Sequence, residues 1–132
     1  MILVDTTVWI DFFSKKPSLY KKELHRLIEE EEDVCLLDIT LAEILQGIKE
    51  DREFEKTKEH LLQFPIYSPK GIDTFIMSAQ IYQLCRREGK TIRRTIDCLI
   101  AACAMEHSLF LFHNDKDFEA ISEVIGLKVY SV

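Results

Sequence analysis

Positive charge is in short supply in this chain. Seventeen Lys and Arg stand against 23 Asp and Glu, a formal net charge of −6. Broad, sequence-blind nucleic-acid binding runs on positive charge, so the composition weighs against that mode for the surface as a whole. Glycine and proline number only four and three. They supply no low-complexity linker and no G-x-G-x-x-G dinucleotide loop. Cys35, Cys85, Cys98 and Cys103 form no C-x-x-C pair, and none pairs with His25, His60, His107 or His113 at finger spacing. A structural zinc is therefore not expected. Reduced thiols set among apolar neighbours fit a cytosolic protein, and a cytoplasmic location is the expectation. The apolar run CLIAACAM falls far short of a membrane span. MILVDTT meets Asp5 without a basic leader and does not read as a signal peptide.

What the chain does have is enough apolar material for one core: 47% of its 132 residues are hydrophobic. A single domain over residues 1–132 is expected. Short apolar runs alternate with helical patterns. ILV (2–4), VCLL (34–37), LFLF (109–112) and KVYSV (128–132) read as strands, with a shorter one inside FPIYSP. The unrelieved apolarity of ILV suits a strand buried on both faces. Between these runs lie helical patterns. TTVWIDFF starts a helix. Tyr20, Leu24, Leu27 and Ile28 mark a second. Leu41, Ile44, Leu45 and Ile48 mark a third, with Thr40 as its cap. A charged helix is expected over 50–64. Ile72, Phe75, Ile76, Ala79 and Tyr82 mark a long amphipathic one ending near Gly89. Ile96–Met105 reads as a central helix, and Phe118–Ile125 as a last one stopped by Gly126. Strand–helix alternation implies a parallel sheet covered on both faces, and the functional crevice of such a sheet lies beyond the carboxyl ends of its strands.

The acidic residues can be tested against that edge. Asp5 follows the first strand directly. Glu43 lies in the first turn or so of the helix after the second strand. Asp115 and Asp117 follow LFLF, and Asp97 opens the helix that precedes it. Each has a bland explanation: Asp5 caps a helix, as Thr6 or Thr7 would, Asp97 favours a helix dipole, and Asp117 caps the helix at Phe118. Glu43, among Leu41, Ala42, Ile44 and Leu45, is harder to excuse. The shared edge asks for a common cause. Two carboxylates about 4 Å apart repel by about 4 kcal/mol at an effective dielectric of 20. Several together protonate, spread apart or bind a cation. Oxygen-only ligands suit Mg²⁺ or Mn²⁺. A hard cation so held polarises a phosphoryl oxygen, which makes a phosphodiester the natural substrate. The segment RREGKTIRR (86–94) adds a local basic patch, or simply a solvated helix end.

VDTTVWIDF, the lone Glu43, RRTIDCLIAACA (93–104) and HNDKDF (113–118) together resemble the PIN-domain ribonucleases, and most nearly the VapC-like toxins of bacterial toxin–antitoxin pairs. The resemblance spans nearly the whole chain. It implies a three-layer α/β/α sandwich with a central parallel sheet and an endoribonuclease dependent on Mg²⁺ or Mn²⁺. It places Asp5, Glu43, Asp97 and Asp115 on the acidic quartet and Asp117 on a frequent fifth acid. Asp5, Asp97 and Asp115 are then the principal metal ligands, with Glu43 and Asp117 serving a second ion or orienting the attacking water. Thr6 falls on the hydroxyl residue after the first acid, and Arg93, with its neighbour Arg94, on the basic segment that would hold RNA. His113 departs from the family, where a Thr or Ser is common; two readings are open to it, contact with a phosphate or a bound water, and a bystander without a role in the site. The resemblance further implies cleavage to a 5′-phosphate and a 3′-hydroxyl, a homodimer, and a small antitoxin masking the acidic pocket. Trp9, Phe12 and Phe13 offer core packing, with surplus aromatic surface for such partners.

Rival readings fare less well. A receiver-type phospho-acceptor domain needs an acidic pair after the first strand, whereas Asp5 has no acidic neighbour. A haloacid-type phosphatase needs D-x-D-x-T, and DTT lacks the second Asp. A catalytically inactive PIN fold acting as a binding module is opposed by the complete acid set.

Overall fold

The computed structural model describes all residues, 1–132. Four parallel strands form one sheet: β1 (Ile2–Val4), β2 (Val34–Leu37), β3 (Ile66–Tyr67) and β4 (Phe110–Phe112), in the order β3-β2-β1-β4. The hydrophobic strand β1 is central. Leu3 pairs with Cys35 on one side and with Leu111 on the other.

The period-2 geometry of strands divides the core. Leu3, Cys35, Leu37 and Leu111 face one side. Val4, Val34, Leu36 and Phe112 face the other. The second face is covered by α1 (Thr6–Phe13), α2 (Leu19–Glu29), α3 (Asp38–Gln46) and α4 (Asp51–Leu61), through residues such as Val8, Trp9, Leu24, Ile44 and Leu61. The first is covered by α5 (Ile72–Arg87), α6 (Thr95–Glu106) and α7 (Lys116–Ile125), through Ile81, Ile100, Ala101 and Phe118. This is the expected three-layer sandwich. Helix α6 is buried nearly all round, as its composition requires.

Several local expectations change. KVYSV makes no strand. Its only strand pairing is a single parallel bridge from Val129 to Leu111, so the sheet has no further strand at this edge. Thr40 does not cap α3, which starts at Asp38 and leaves Thr40 buried. Helix α7 starts before Phe118, with Asp115 as its N-cap instead of Asp117. Gly126 does stop it, at a φ of 70° that favours glycine. The stripe expected to bury α5 is turned outward: Ile72, Phe75 and Ile76 are at least half exposed, while Thr74, Ile81 and Cys85 face the core. The cysteines are all buried and free, and burial pushes Cys35, Cys98 and Cys103 up to about 12. No helix is long and apolar enough to cross a membrane.

Candidate active site

The site forms where β1 and β4 end. Asp5 follows Val4 and stays tied to the sheet through its N–H, which donates to the Phe112 carbonyl over 2.9 Å. It is the N-cap of α1: its Oδ2 accepts the Thr7 N–H at 3.2 Å and the Thr7 hydroxyl at 2.7 Å. The capping explanation for Asp5 is therefore real, but a cap is normally solvated, and Asp5 is 4% exposed. Burial raises its pKa against the Thr7 and Thr6 hydrogen bonds that favour the carboxylate, and Glu43 raises it further.

Asp97 is the extreme case. It sits in the first turn of α6, 2% exposed, and its Oδ2 has no hydrogen-bond partner. Burial pushes its pKa up to about 7. Arg94 opposes the shift; Asp5, Asp115 and Asp117 add to it. A residue there only to suit the helix dipole has no reason to be enclosed at the cost of its charge. The mutual repulsion also reports convergence, since Asp5, Asp97, Asp115, Asp117 and Glu43 feel one another across the same edge.

Glu43 lies in the second turn of α3, one turn deeper than expected, half-buried among apolar neighbours. Its Oε1 accepts the Thr6 hydroxyl at 2.8 Å, and its Oε2 meets an Arg94 guanidinium nitrogen at 2.8 Å. That same Arg94 nitrogen lies 3.7 Å from Asp97 Oδ1. Burial works against the Arg94 charge, but Asp97 and Glu43 outweigh it and hold Arg94 protonated. Arg93 reaches Asp115 and Asp117, 3.3 Å from each, and its backbone N–H donates to Asp117 Oδ2 at 3.2 Å. Asp115 Oδ1 meanwhile accepts the Asp117 N–H at 2.9 Å. Thus the five acids, Thr6 and both arginines lie along one edge of the sheet, linked through pairwise contacts.

Two expectations are modified. First, the acids share an edge but do not stand as a ready-made cage: no three His, Cys, Asp or Glu side chains are drawn together so as to hold a metal ion. Arg93 meets Asp115 and Asp117, and Arg94 meets Glu43 and Asp97, so the carboxylates stand in two arginine-bridged pairs. Second, His113 is buried; its Nδ1 accepts the Asp115 N–H at 3.1 Å, and its ring packs on Phe118 with centroids 5.2 Å apart. Burial lowers its pKa and keeps it the neutral acceptor this bond needs. The imidazole serves the turn from within, and the expectation that it meets substrate finds no support in this placement.

Sequence reasoning missed Thr7 except as an alternative cap. Its hydroxyl both donates to Asp5 and accepts the Asn114 N–H at 3.0 Å, joining the ends of β1 and β4. The D-x-T spacing, an Asp followed two residues later by a hydroxyl, was the available signal.

Chemically the arrangement suits a hard divalent cation. Its donors are oxygens alone, one of them an unpartnered carboxylate oxygen on a buried aspartate, and its surplus negative charge is met incompletely by two partly exposed arginines.

Comparisons with known proteins identify the family and the fold. A family model described as PIN domain matches residues 2–124. VapC ribonuclease Mb1587 of Mycobacterium bovis is 33% identical over 132 residues, spanning 99% of this chain and 98% of that protein. Ribonuclease VapC11 of Mycobacterium tuberculosis matches to the same extent. Among solved structures, FitAcB from Neisseria gonorrhoeae superimposes with a TM-score of 0.76 at 29% identity, covering 99% of this chain and 97% of that one. A toxin–antitoxin complex from Klebsiella pneumoniae gives 0.71 at 26% identity, covering 98% and 100%.

Proposed function

The chain belongs to the PIN domain family, and on that premise we propose that it is a divalent-metal-dependent endoribonuclease, a toxin held in check by a cognate antitoxin. The observation that carries this reading is Asp97: a buried carboxyl with an orphaned oxygen, repelled by Asp5 at the end of β1 and by Asp115 and Asp117 after β4. Asp5, Asp97 and Asp115 would hold Mg²⁺ or Mn²⁺, with Asp117 beside them. Bound there, the ion supplies Lewis-acid charge to the phosphoryl group and lowers the pKa of a water.

The remaining work falls to the protein. Thr6 fixes the Glu43 carboxylate through Oε1, leaving Oε2 to orient water and take its proton once Arg94 moves aside. Thr7 holds Asp5 in place. Arg93 and Arg94, on the exposed rim, meet the phosphate backbone as charge-assisted donors. Hydrolysis adds water across the P–O3′ bond and leaves a 5′-phosphate and a 3′-hydroxyl. An acidic protein can bind RNA locally in this way, because the cation and two arginines sit where its acids cluster.

Partners follow from two surfaces. A groove of about 360 Å³ runs from Glu43 between Ile10, Phe13, Ile44 and Ile48. It ends at the acidic pocket, which suits an antitoxin segment with an apolar face and a basic tip. The outward stripe of α5 lies beside a cavity of about 550 Å³ lined by Leu37, Ile39, Ala42, Phe75, Ile96 and Leu99. Projecting side chains and a hollow within one patch are what a two-fold contact between copies requires, so a homodimer is proposed there. The cytoplasm, where RNA and reduced thiols coexist, is the proposed location.

The test is RNA cleavage by purified protein under a Mn²⁺ titration. Cleavage is expected to need the ion and to fall at least 100-fold in Asp5→Asn and Asp97→Asn. Undiminished cleavage by either variant would remove the assignment.

A further inference from the structure

Arg94 occupies an unfavourable place for a cation. It is the N-cap of α6, where the helix dipole is positive, and its side chain makes no capping hydrogen bond there. What offsets this is the pair of contacts it makes across the acid site, at 2.8 Å to Glu43 and 3.7 Å to Asp97. The guanidinium is half exposed, whereas Asp97 is enclosed. Arg93 repeats the pattern on Asp115 and Asp117 with a side chain more exposed still. The backbone N–H of Arg93 also holds Asp117, so its side chain can leave without releasing that carboxylate. Each arginine thus spans two acids.

We propose that Arg94, seconded by Arg93, is a built-in counter-ion that a divalent cation displaces on binding, so that loading of the site frees both guanidiniums to engage RNA phosphates. The inference rests on the metal-dependent reading above. A compact dication outcompetes a delocalised monocation for the same carboxylates, because Coulomb energy scales with charge and inversely with distance. Freed, the arginine finds its new partner where the substrate lies, since the phosphate must approach the same ion. Metal therefore does two things at once: it charges the site and exposes its anion-binding rim. A purely structural Arg94, riveting α3 to α6, would instead stay in place when the ion arrives.

Two measurements separate these cases without reference to catalysis. In calorimetry, Arg94→Gln is expected to bind Mn²⁺ about three- to tenfold more tightly than wild type. Arg93→Gln should gain less, and Arg87→Gln, which removes the same charge from the end of α5, should not change. By NMR of the wild-type protein, the Arg94 side-chain Nε–H signal is expected to move to the free-arginine position on saturation with Mg²⁺. Unchanged or weaker Mn²⁺ binding by a folded Arg94→Gln overturns the inference and leaves the metal reading standing. An Arg94 signal unmoved by Mg²⁺ overturns it too, even if the variant fails to fold. Absence of ion binding by every form overturns both.

Discussion

The Thr7 hydroxyl donates to Asp5 Oδ2 over 2.7 Å and accepts the Asn114 N–H over 3.0 Å. One side chain thereby fixes the first acid and clamps it to the turn that carries Asp115. Thr7→Val keeps the shape and removes both bonds. It is expected to cost about 1–2 kcal/mol of stability in denaturant melts. Single-turnover cleavage should drop roughly tenfold with little change in RNA affinity, and Thr7→Ser should restore it.

Asp97→Asn and Asp115→Asn should part company in thermal melts of the metal-free protein. Asp97 gives up a buried, repelled carboxyl whose Oδ2 has no hydrogen-bond partner, so its variant is expected to melt roughly 3–10 °C higher while losing activity. Asp115 also caps α7. Asn caps about as well as Asp, so its variant should lose activity with a smaller gain. Mg²⁺ should raise the melting temperature of wild type and of neither variant by as much.

Stability of the metal-free protein should fall as pH rises from about 4 to about 7. In that window Asp97 holds its proton in the folded state, with a pKa of about 7, but not in the unfolded state, where the value is near 3.8. The folded form binds more protons, so each rise in pH favours unfolding. Asp5 is shifted the same way. The upper bound for Asp97 is about 4 kcal/mol. Denaturant titrations between pH 5 and 8 in EDTA should show the decline, and saturating Mg²⁺ should flatten it. A flat profile in EDTA would mean that Asp97 is ionised throughout.

His113→Ala leaves the Asp115 N–H without its acceptor. A loss of about 1–3 kcal/mol is expected, together with reduced activity. His113→Thr, which restores an acceptor oxygen but not the packing on Phe118, should recover part of both. If His113 contacts RNA instead, the alanine variant will raise KM and leave stability untouched.

Phe75→Glu and Ala79→Arg place charge on the outward stripe of α5 without disturbing the core, since both side chains are exposed. Light scattering after chromatography is expected to show a dimer for wild type and a monomer for each variant, with unfolding midpoints now independent of protein concentration.

Much of the fold was legible because it rests on local pattern. ILV, VCLL and LFLF are too short and too apolar to be anything but buried strands once helices separate them, and parallel crossovers then put Asp5, Glu43, Asp97 and Asp115 on one edge. The errors fell where pattern and environment diverge. Ile72, Phe75 and Ile76 have helical spacing whether a core or solvent lies opposite. KVYSV has strand composition, but its pairing with the sheet stops at one bridge, Val129 to Leu111.

The sequence by itself determined which acids exist, in what order, and that a sheet edge collects them. Periodicity and residue type decide those matters, and both act over a few positions. Tertiary structure alone decided the electrostatic state of that edge: which carboxyl is sealed from water, which oxygen goes without a partner, and which arginine bridges two of the acids. Solvation and Coulomb forces depend on distances through space, and no spacing along the chain records that Arg94 lies between Glu43 and Asp97.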